Sequence, residues 1–541
     1  MSRCLPLFVL LLATNVAAAG DDLAAARVRI APQAIAAHMR FLASDLLEGR
    51  ESGSRGFDIG AQYVAAQFEA VGLTPVTPDW LQPVPMRSAM VDEAQSSFAI
   101  DGVALAARKD YLLRPDWLRE ANGVDGASVV FAGFGVVAPE LGRDDYAGID
   151  ARGKVVLLLT GAPSSFPTDQ RAYYSSGDTK AAEAAKHGAV GTITLRSMTD
   201  EVRYPFARQA EQTAAASMRA LDAAGRPFDV LEPIRVAASI SRAAAARLFA
   251  GAPVTIDEVL QNAEQGKTTS MALAPKVSMH VASRFADARS ANVVGMLRGS
   301  DPKLRDEYVV LSAHLDHLGN HAHASGDPIY NGAFDNASGI ACIIEIARAF
   351  AALPVKPRRS LLFVAVTGEE KGEQGSLAFA RTPPVRGTLV ADINIDMFLM
   401  LFPMKDLVAF GAEHSTLGAL GDRAAQANGF TISPDPTPEE VRFIRSDQYS
   451  FVRQGIPAII LKAGEQSADP KIDGRTVTRN WLRTIYHSPK DDMAQTIDFA
   501  SGARYAQTNF LLAWYAANGD AKPTWTSGDF FGALFANHGA P

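Results

Sequence analysis

Between Ile35 and Leu47 the apolar positions recur with a helical spacing, at Ile35, Met39, Phe41, Leu42 and Leu46. Gly49, Gly53 and Gly56 interrupt the pattern, and Ile59 to Val71 resumes it as a second helix. From Val124 to Ala250 the texture changes to short strand-like runs, ASVVFAG, GKVVLLL and GAVGTITL, the last preceded by an Ala/Lys-rich helical stretch from Thr179 to His187. From Asn292 onward the chain reads strand, turn, helix, repeatedly. Strands are predicted over Asp306–Ser312, Arg359–Val366, Leu389–Ile395 and Pro457–Leu461, with a helix over Gly339–Leu353. Unbroken Val/Ile/Leu strands alternating with helices predict an α/β fold: a mainly parallel mixed sheet flanked by helices, with a smaller α/β module inserted. In such sheets ligands bind outside the carboxyl ends of the strands.

The N-terminus adds an expectation about destination. Arg3, the apolar run Leu5–Leu12 and Ala17-Ala18-Ala19 have the order of a secretory signal peptide. The predicted organisation is a signal over 1–19, the first part of the main domain over 20–123, an insert over 124–250, and the main domain over 251–541. The mature chain is then exported, to a periplasm or the medium. No other run of about 18 apolar residues occurs, so no stable membrane insertion is expected. Hydrophobic residues are 48%, charged residues 21% and the formal charge −7, which gives no basis for nucleic-acid binding. Of two cysteines, Cys4 falls in the signal and Cys342 in an apolar helical pattern, so no disulfide framework is built. One pattern misleads. Gly133-Phe-Gly135-Val-Val-Ala138 matches a dinucleotide fingerprint, but Pro139 follows directly and the strand-turn-helix context is missing.

The chemistry lies after the strands. His314 and Asp316 follow YVVLSA, Asp335 sits in NGAFDNASG, and Glu369-Glu370 follow LLFVAVTG. Asp396 follows VADINI, and His487 lies in TIYHSPKDD. Imidazole with carboxylate and no thiolate suits zinc or a similar divalent ion. Two histidines and three carboxylates exceed one tetrahedral catalytic zinc, and they suit two ions sharing a bridging carboxylate. A dication also offsets the repulsion between adjacent glutamates, so that one ligates while the other stays free as a base.

HLDHLG, GAFDNASG, TGEEKGEQGS, NIDM and YHSPKDD together resemble the M28 family of co-catalytic zinc metallopeptidases, which have a phosphorylase/hydrolase-type sheet. The insert resembles the protease-associated (PA) domain common in that family. The resemblance implies two zinc ions. His314 and Asp396 would hold one, Glu370 and His487 the other, and Asp335 would bridge. It also implies Glu369 as general base and Asp316 as the partner that accepts the other ring proton of His314. Phe334 departs from the pattern, since many relatives carry an acidic residue there; the change is expected to alter the pocket wall. His317, His321 and His323 fall in a polar loop and are expected to be exposed. Asn336-Ala-Ser338 fits a glycosylation sequon, but a glycan there would block the bridge. Ser446 to Tyr449 read equally as pocket lining or as a turn. The implied function is an aminopeptidase acting on peptides. Open alternatives are a carboxypeptidase, for which Arg442, Arg445 and Arg453 speak, a one-zinc glutaminyl cyclase, and a metal-free binding module, which would have lost ligands.

Overall fold

The computed structural model describes residues 21–212, 216–321 and 326–536. The expected signal, Cys4 and His323 lie outside the described residues. The chain divides into two compact units. One holds the chain up to Val84, Arg289–Thr437 and Arg445–Pro541; the other holds Pro85–Ala288 and Pro438–Ile444. The insert expected over 124–250 lies within the second unit, which also takes in both its flanks.

The first unit is built on a mixed sheet. Its strands are β1 (Thr74–Pro75), β2 (Met271–Leu297, entering this unit at Arg289), β3 (Glu307–His314), β4 (Ser360–Val366), β5 (Thr388–Asn394), β6 (Asp406–Phe410), β7 (Thr431–Ser433) and β8 (Ala458–Ala463). The spatial order is β1-β2-β4-β3-β5-β8-β6-β7. The central run β4-β3-β5-β8 is parallel, with Leu311 level with Phe363 and Ile393. β2 and β6 run antiparallel to their neighbours β4 and β8. The predicted strands are therefore the parallel centre, each buried on both faces.

Side chains alternate across the sheet. Val309, Leu311 and Ala313 join the large apolar core with helices α1 (Pro32–Leu42), α2 (Arg55–Ala70), α3 (Ser338–Ala351), α5 (Leu417–Ala427) and α8 (Phe499–Asn518). The short helices α4 (Gln374–Arg381) and α6 (Gln448–Val452) pack on one another, Phe379 against Phe451 at 6.0 Å. Helix α7 (Gly474–Thr484) precedes the loop that carries His487. Cys342 is buried in α3 as a free thiol. The helix expected from Ile35 to Leu47 stops at Leu42; a tighter turn spans Asp45–Arg50 and leaves Leu46 exposed at 72%. The glycine-rich stretch that follows breaks the helix and turns Arg50 inward.

The second unit has four parallel strands side by side, Ala121–Phe131, Val155–Leu159, Gly191–Leu195 and Val236–Ile240. The dinucleotide-like glycines, Gly133 and Gly135, sit at φ +52° and +70° in the turn after the first of these. A two-residue strand and a turn at Pro139–Leu141 follow, with no long helix whose N-terminus could meet a phosphate. The Phe134 carbonyl instead accepts a hydrogen bond from Lys180, whose buried ammonium also donates to the carbonyls of Leu159 and Gly161, at 2.6, 2.8 and 2.5 Å. Removing that donor strands three carbonyls. Lys180→Ala is expected to lower stability by about 3 kcal/mol, at roughly 1 kcal/mol per lost acceptor contact. Thermal unfolding of the full chain checks this, and an unchanged midpoint would show that the carbonyls rehydrate freely.

Candidate metal centre

The parallel strands bring the predicted donors to one rim. His314 is the last residue of β3, and the Leu315 amide still donates to the Val366 carbonyl at 2.8 Å. After β4 the chain turns at Gly368, φ +69°, and presents Glu369 and Glu370. The Asp316 carboxylate accepts both of their amide N–H groups, at 3.2 and 3.3 Å. Asp396 lies two residues beyond β5. Asp335 sits in the turn Ala333–Ala337 that leads into α3, and His487 follows α7 in a left-handed conformation, φ +54°.

Asp335 lies between the two halves. Its Oδ1 is 3.2 Å from His314 Nε2, and its Oδ2 is 3.2 Å from His487 Nε2. On the first side His314 Nε2 also lies 3.2 Å from Asp396 Oδ1. On the second, His487 Nε2 lies 3.4 Å from Glu370 Oε2. One donor atom from each of His314, Asp335 and Asp396 fits within 4.8 Å, and so does one from each of His317, Asp335 and Glu370. Glu369 stands beside the set, half-buried.

The electrostatics follow from burial opposed by pairing. Desolvation alone would raise every carboxylate here. For Asp335 the contacts with His314 and His487 overcome it and hold the carboxyl well below its usual range. Asp396 is lowered too, against burial, by Lys462 and His314. Glu370 is held at about 2, against burial and the Asp335 charge, by His317 and His487. Burial would lower His487, but Asp335 and Glu370 raise it to about 10. Glu369 is the exception: burial, with the nearby Glu370, Asp396 and Asp447 charges, pushes it well above the usual carboxylate range despite His314. Three carboxylates kept anionic around histidines, next to one with raised proton affinity, form a site that both attracts cations and has a group ready to carry a proton. The donors are hard oxygen and imidazole nitrogen, and Asp335 turns one oxygen to each side. The residues thus fit a pair of divalent ions.

Asp316 accepts the other ring proton of His314, as expected, through its main-chain carbonyl, 3.1 Å from His314 Nδ1. The carboxylate is drawn instead to the two turn amides of Glu369 and Glu370, which would otherwise lack an acceptor. Two further expectations, on His317 and Phe334, need correction. His317 is fully buried, whereas His321 is exposed as expected. Phe334 forms no pocket wall: it is fully buried, edge-on to Trp481 at 5.3 Å, because its side chain turns into the core while Asp335 faces the rim. Asn336 is likewise fully buried, donating to the Ile395 carbonyl at 2.9 Å. Ser446, Asp447 and Gln448 are buried; Ser446 and Gln448 accept from Asn394 Nδ2, both at 2.8 Å, and so brace the end of β5. Arg442 falls in the second unit and pairs with Glu440.

Three residues at the site were unnoticed in the sequence, Lys462, Asp491 and Arg50, and a fourth, His317, was expected to lie exposed. Lys462, on β8, approaches Asp396 Oδ2 at 3.1 Å. His317 contacts Glu370. Asp491 accepts the amides of Phe334 and Asp335 at 2.9 and 3.1 Å, which fixes the turn bearing the bridge. Arg50 is fully buried and donates to the carbonyls of Leu42, Leu315, Asn331 and Gly332. Burial lowers its guanidinium to about 10 while Asp491, Asp335, Asp316 and Glu370 pull it back up. The fork geometry is what four separate carbonyls require. Arg50→Lys is expected to cost about 2–3 kcal/mol, because an ammonium leaves at least one buried carbonyl unpaired. Denaturant unfolding tests it, and a midpoint equal to wild type would contradict it.

The chain is similar to known proteins over part of its length. Residues 292–513 match the profile of "Peptidase family M28". A "Probable zinc metalloprotease" of Pyrenophora tritici-repentis is 29% identical over 259 residues, 43% of this chain and 58% of that protein. Another, from Pyrenophora teres f. teres, is 38% identical over 254 residues, 43% of this chain and 50% of that protein. The chain thus spans 50–58% of the length of these two relatives. Among solved structures, an aminopeptidase from Aneurinibacillus sp. strain AM-1 aligns over 92% of this chain and 96% of its own, with TM-score 0.51 and 18% identity, which shows a shared fold.

Proposed function

We propose that this chain, whose residues 292–513 match the profile of "Peptidase family M28", is an exported, zinc-dependent aminopeptidase that removes residues from the N-termini of peptides. The observation that carries the reading is the placing of Asp335, one carboxylate oxygen toward His314 and Asp396, the other toward His487 and Glu370. His314 and Asp396 would hold one zinc ion, Glu370 and His487 the second, with Asp335 between them. When bound, the pair would polarise the scissile carbonyl and ease loss of a proton from water.

The chain's own residues do the rest. Glu369 accepts the water proton at its carboxylate and returns it to the leaving amine. Burial raises its proton affinity above that of an ordinary carboxylate, as suits a proton carrier. Asp316 fixes the main chain of both glutamates, so that the base and the ligand beside it keep separate directions. The His314 Nδ1–H bond to the Asp316 carbonyl leaves Nε2 as the coordinating atom. No serine or cysteine nucleophile is needed. The export rests on the N-terminal segment, and the second unit is read as a protease-associated module from its place in the chain and its parallel strands.

The test is hydrolysis of an aminoacyl-arylamide panel before chelation, after it, and after zinc is restored. Loss and recovery of activity, with N-acetylated analogues left uncut, supports the reading. Cleavage confined to C-terminal residues would point to a carboxypeptidase, and cyclisation of N-terminal glutamine without hydrolysis to a cyclase.

A further inference from the structure

We infer that His317 is a positioning residue for the second metal site: its ring donates to one oxygen of Glu370 and thereby directs the other oxygen toward the ion. The inference rests on the two-zinc reading above.

His317 Nδ1 lies 2.7 Å from Glu370 Oε1, while Glu370 Oε2 faces His487 at 3.4 Å. A carboxylate oxygen is the acceptor in this contact, so the ring nitrogen carries the proton and donates. Among the described residues the ring has no other hydrogen bond, and Nε2 is buried without a partner. Asp335 Oδ2 is further off, at 3.9 Å. The ring is also held in place. The His317 amide donates to the Arg50 carbonyl at 3.1 Å. Gly332 lies against the imidazole, where a Cβ would come within 2.7 Å of the ring. The Gly332 carbonyl is in turn gripped by the Arg50 guanidinium at 2.9 Å. Arg50 thus fixes the imidazole from both sides, through its own carbonyl and through Gly332. A glutamate ligand has three rotatable bonds and four lone-pair directions; one fixed donor removes most of that freedom. Partners behind a ligand typically alter metal affinity about 10- to 100-fold.

The test uses the full chain stripped of zinc and titrated with zinc against a chromophoric chelator, so no activity is read. Wild type is expected to show two sites. His317→Ala should weaken one of them about 10- to 100-fold and leave the other unchanged. His317→Asn places an amide N–H where Nδ1 stood and should restore most of the loss, which a merely space-filling role would not. Two wild-type sites with His317→Ala binding both ions normally would overturn the inference alone. His317→Asn as weak as His317→Ala would also overturn it, because the imidazole would then be a ligand itself. Fewer than two sites in wild type would overturn the two-zinc reading and this inference with it.

Discussion

Glu369→Gln is expected to lower kcat on aminoacyl-arylamides by about 10³-fold, the range of a lost general base. Zinc content and KM should stay near wild type. The substitution keeps the shape of the side chain and removes only its capacity to take a proton. The reasoning separates the two glutamates by environment. Glu370 is tied to His317 and His487 and held at about 2, so it stays an anion. Glu369 has its proton affinity raised by burial among other carboxylates. Paired titratable groups pushed apart in this way take opposite roles, one the fixed charge and one the proton carrier. A kcat within about tenfold of wild type would place the base elsewhere.

Asp335→Ala should have the other large effect, and a different signature. Among the described residues Asp335 is the one carboxylate that faces both histidines, His314 and His487, at 3.2 Å each. On the proposed reading, removing it would take a ligand from each half at once. Both zinc affinities are expected to fall and activity to drop by about 10³-fold or more, the scale of losing metal-assisted water activation together with its base. By contrast Asp396→Ala should weaken one site first. Parallel zinc titration of the two variants distinguishes them. If Asp335→Ala emptied only one half, the carboxylate would be a simple ligand and not a bridge.

Much of this site could be read in the sequence because a parallel sheet imposes order. Three strands of the centre, β3, β4 and β5, are mainly apolar runs that lead into residues of chemical interest: His314, then Glu369 and Glu370, then Asp396. The fold gathers strand ends on one rim, so linear order became spatial grouping. What escaped the reading has no local signal. Arg50 lies in a glycine-rich stretch that looks like a loop, and its carbonyl partners Asn331 and Gly332 are about 280 residues away. His317 sits in HLGNHAHASG, a polar run with no periodicity; its burial is set by Gly332 and Glu370 from other segments. Asp491 is one of two adjacent aspartates, and only the turn amides of Phe334 and Asp335 single it out. Phe334 misled for the converse reason: its neighbour is a site residue, yet adjacent side chains face opposite ways. The segment Pro438–Ile444 belongs to the second unit although more than 100 residues of the first precede it in the chain. No sequence pattern marks such a return.

The most direct test of the central claim is a crystal of the zinc-loaded protein examined with X-rays tuned to the zinc absorption edge. Two anomalous peaks about 3.5–4 Å apart are predicted, one between His314 and Asp396 and one between Glu370 and His487, with Asp335 reaching both. A single peak, or none at these residues in protein that binds zinc, would contradict it.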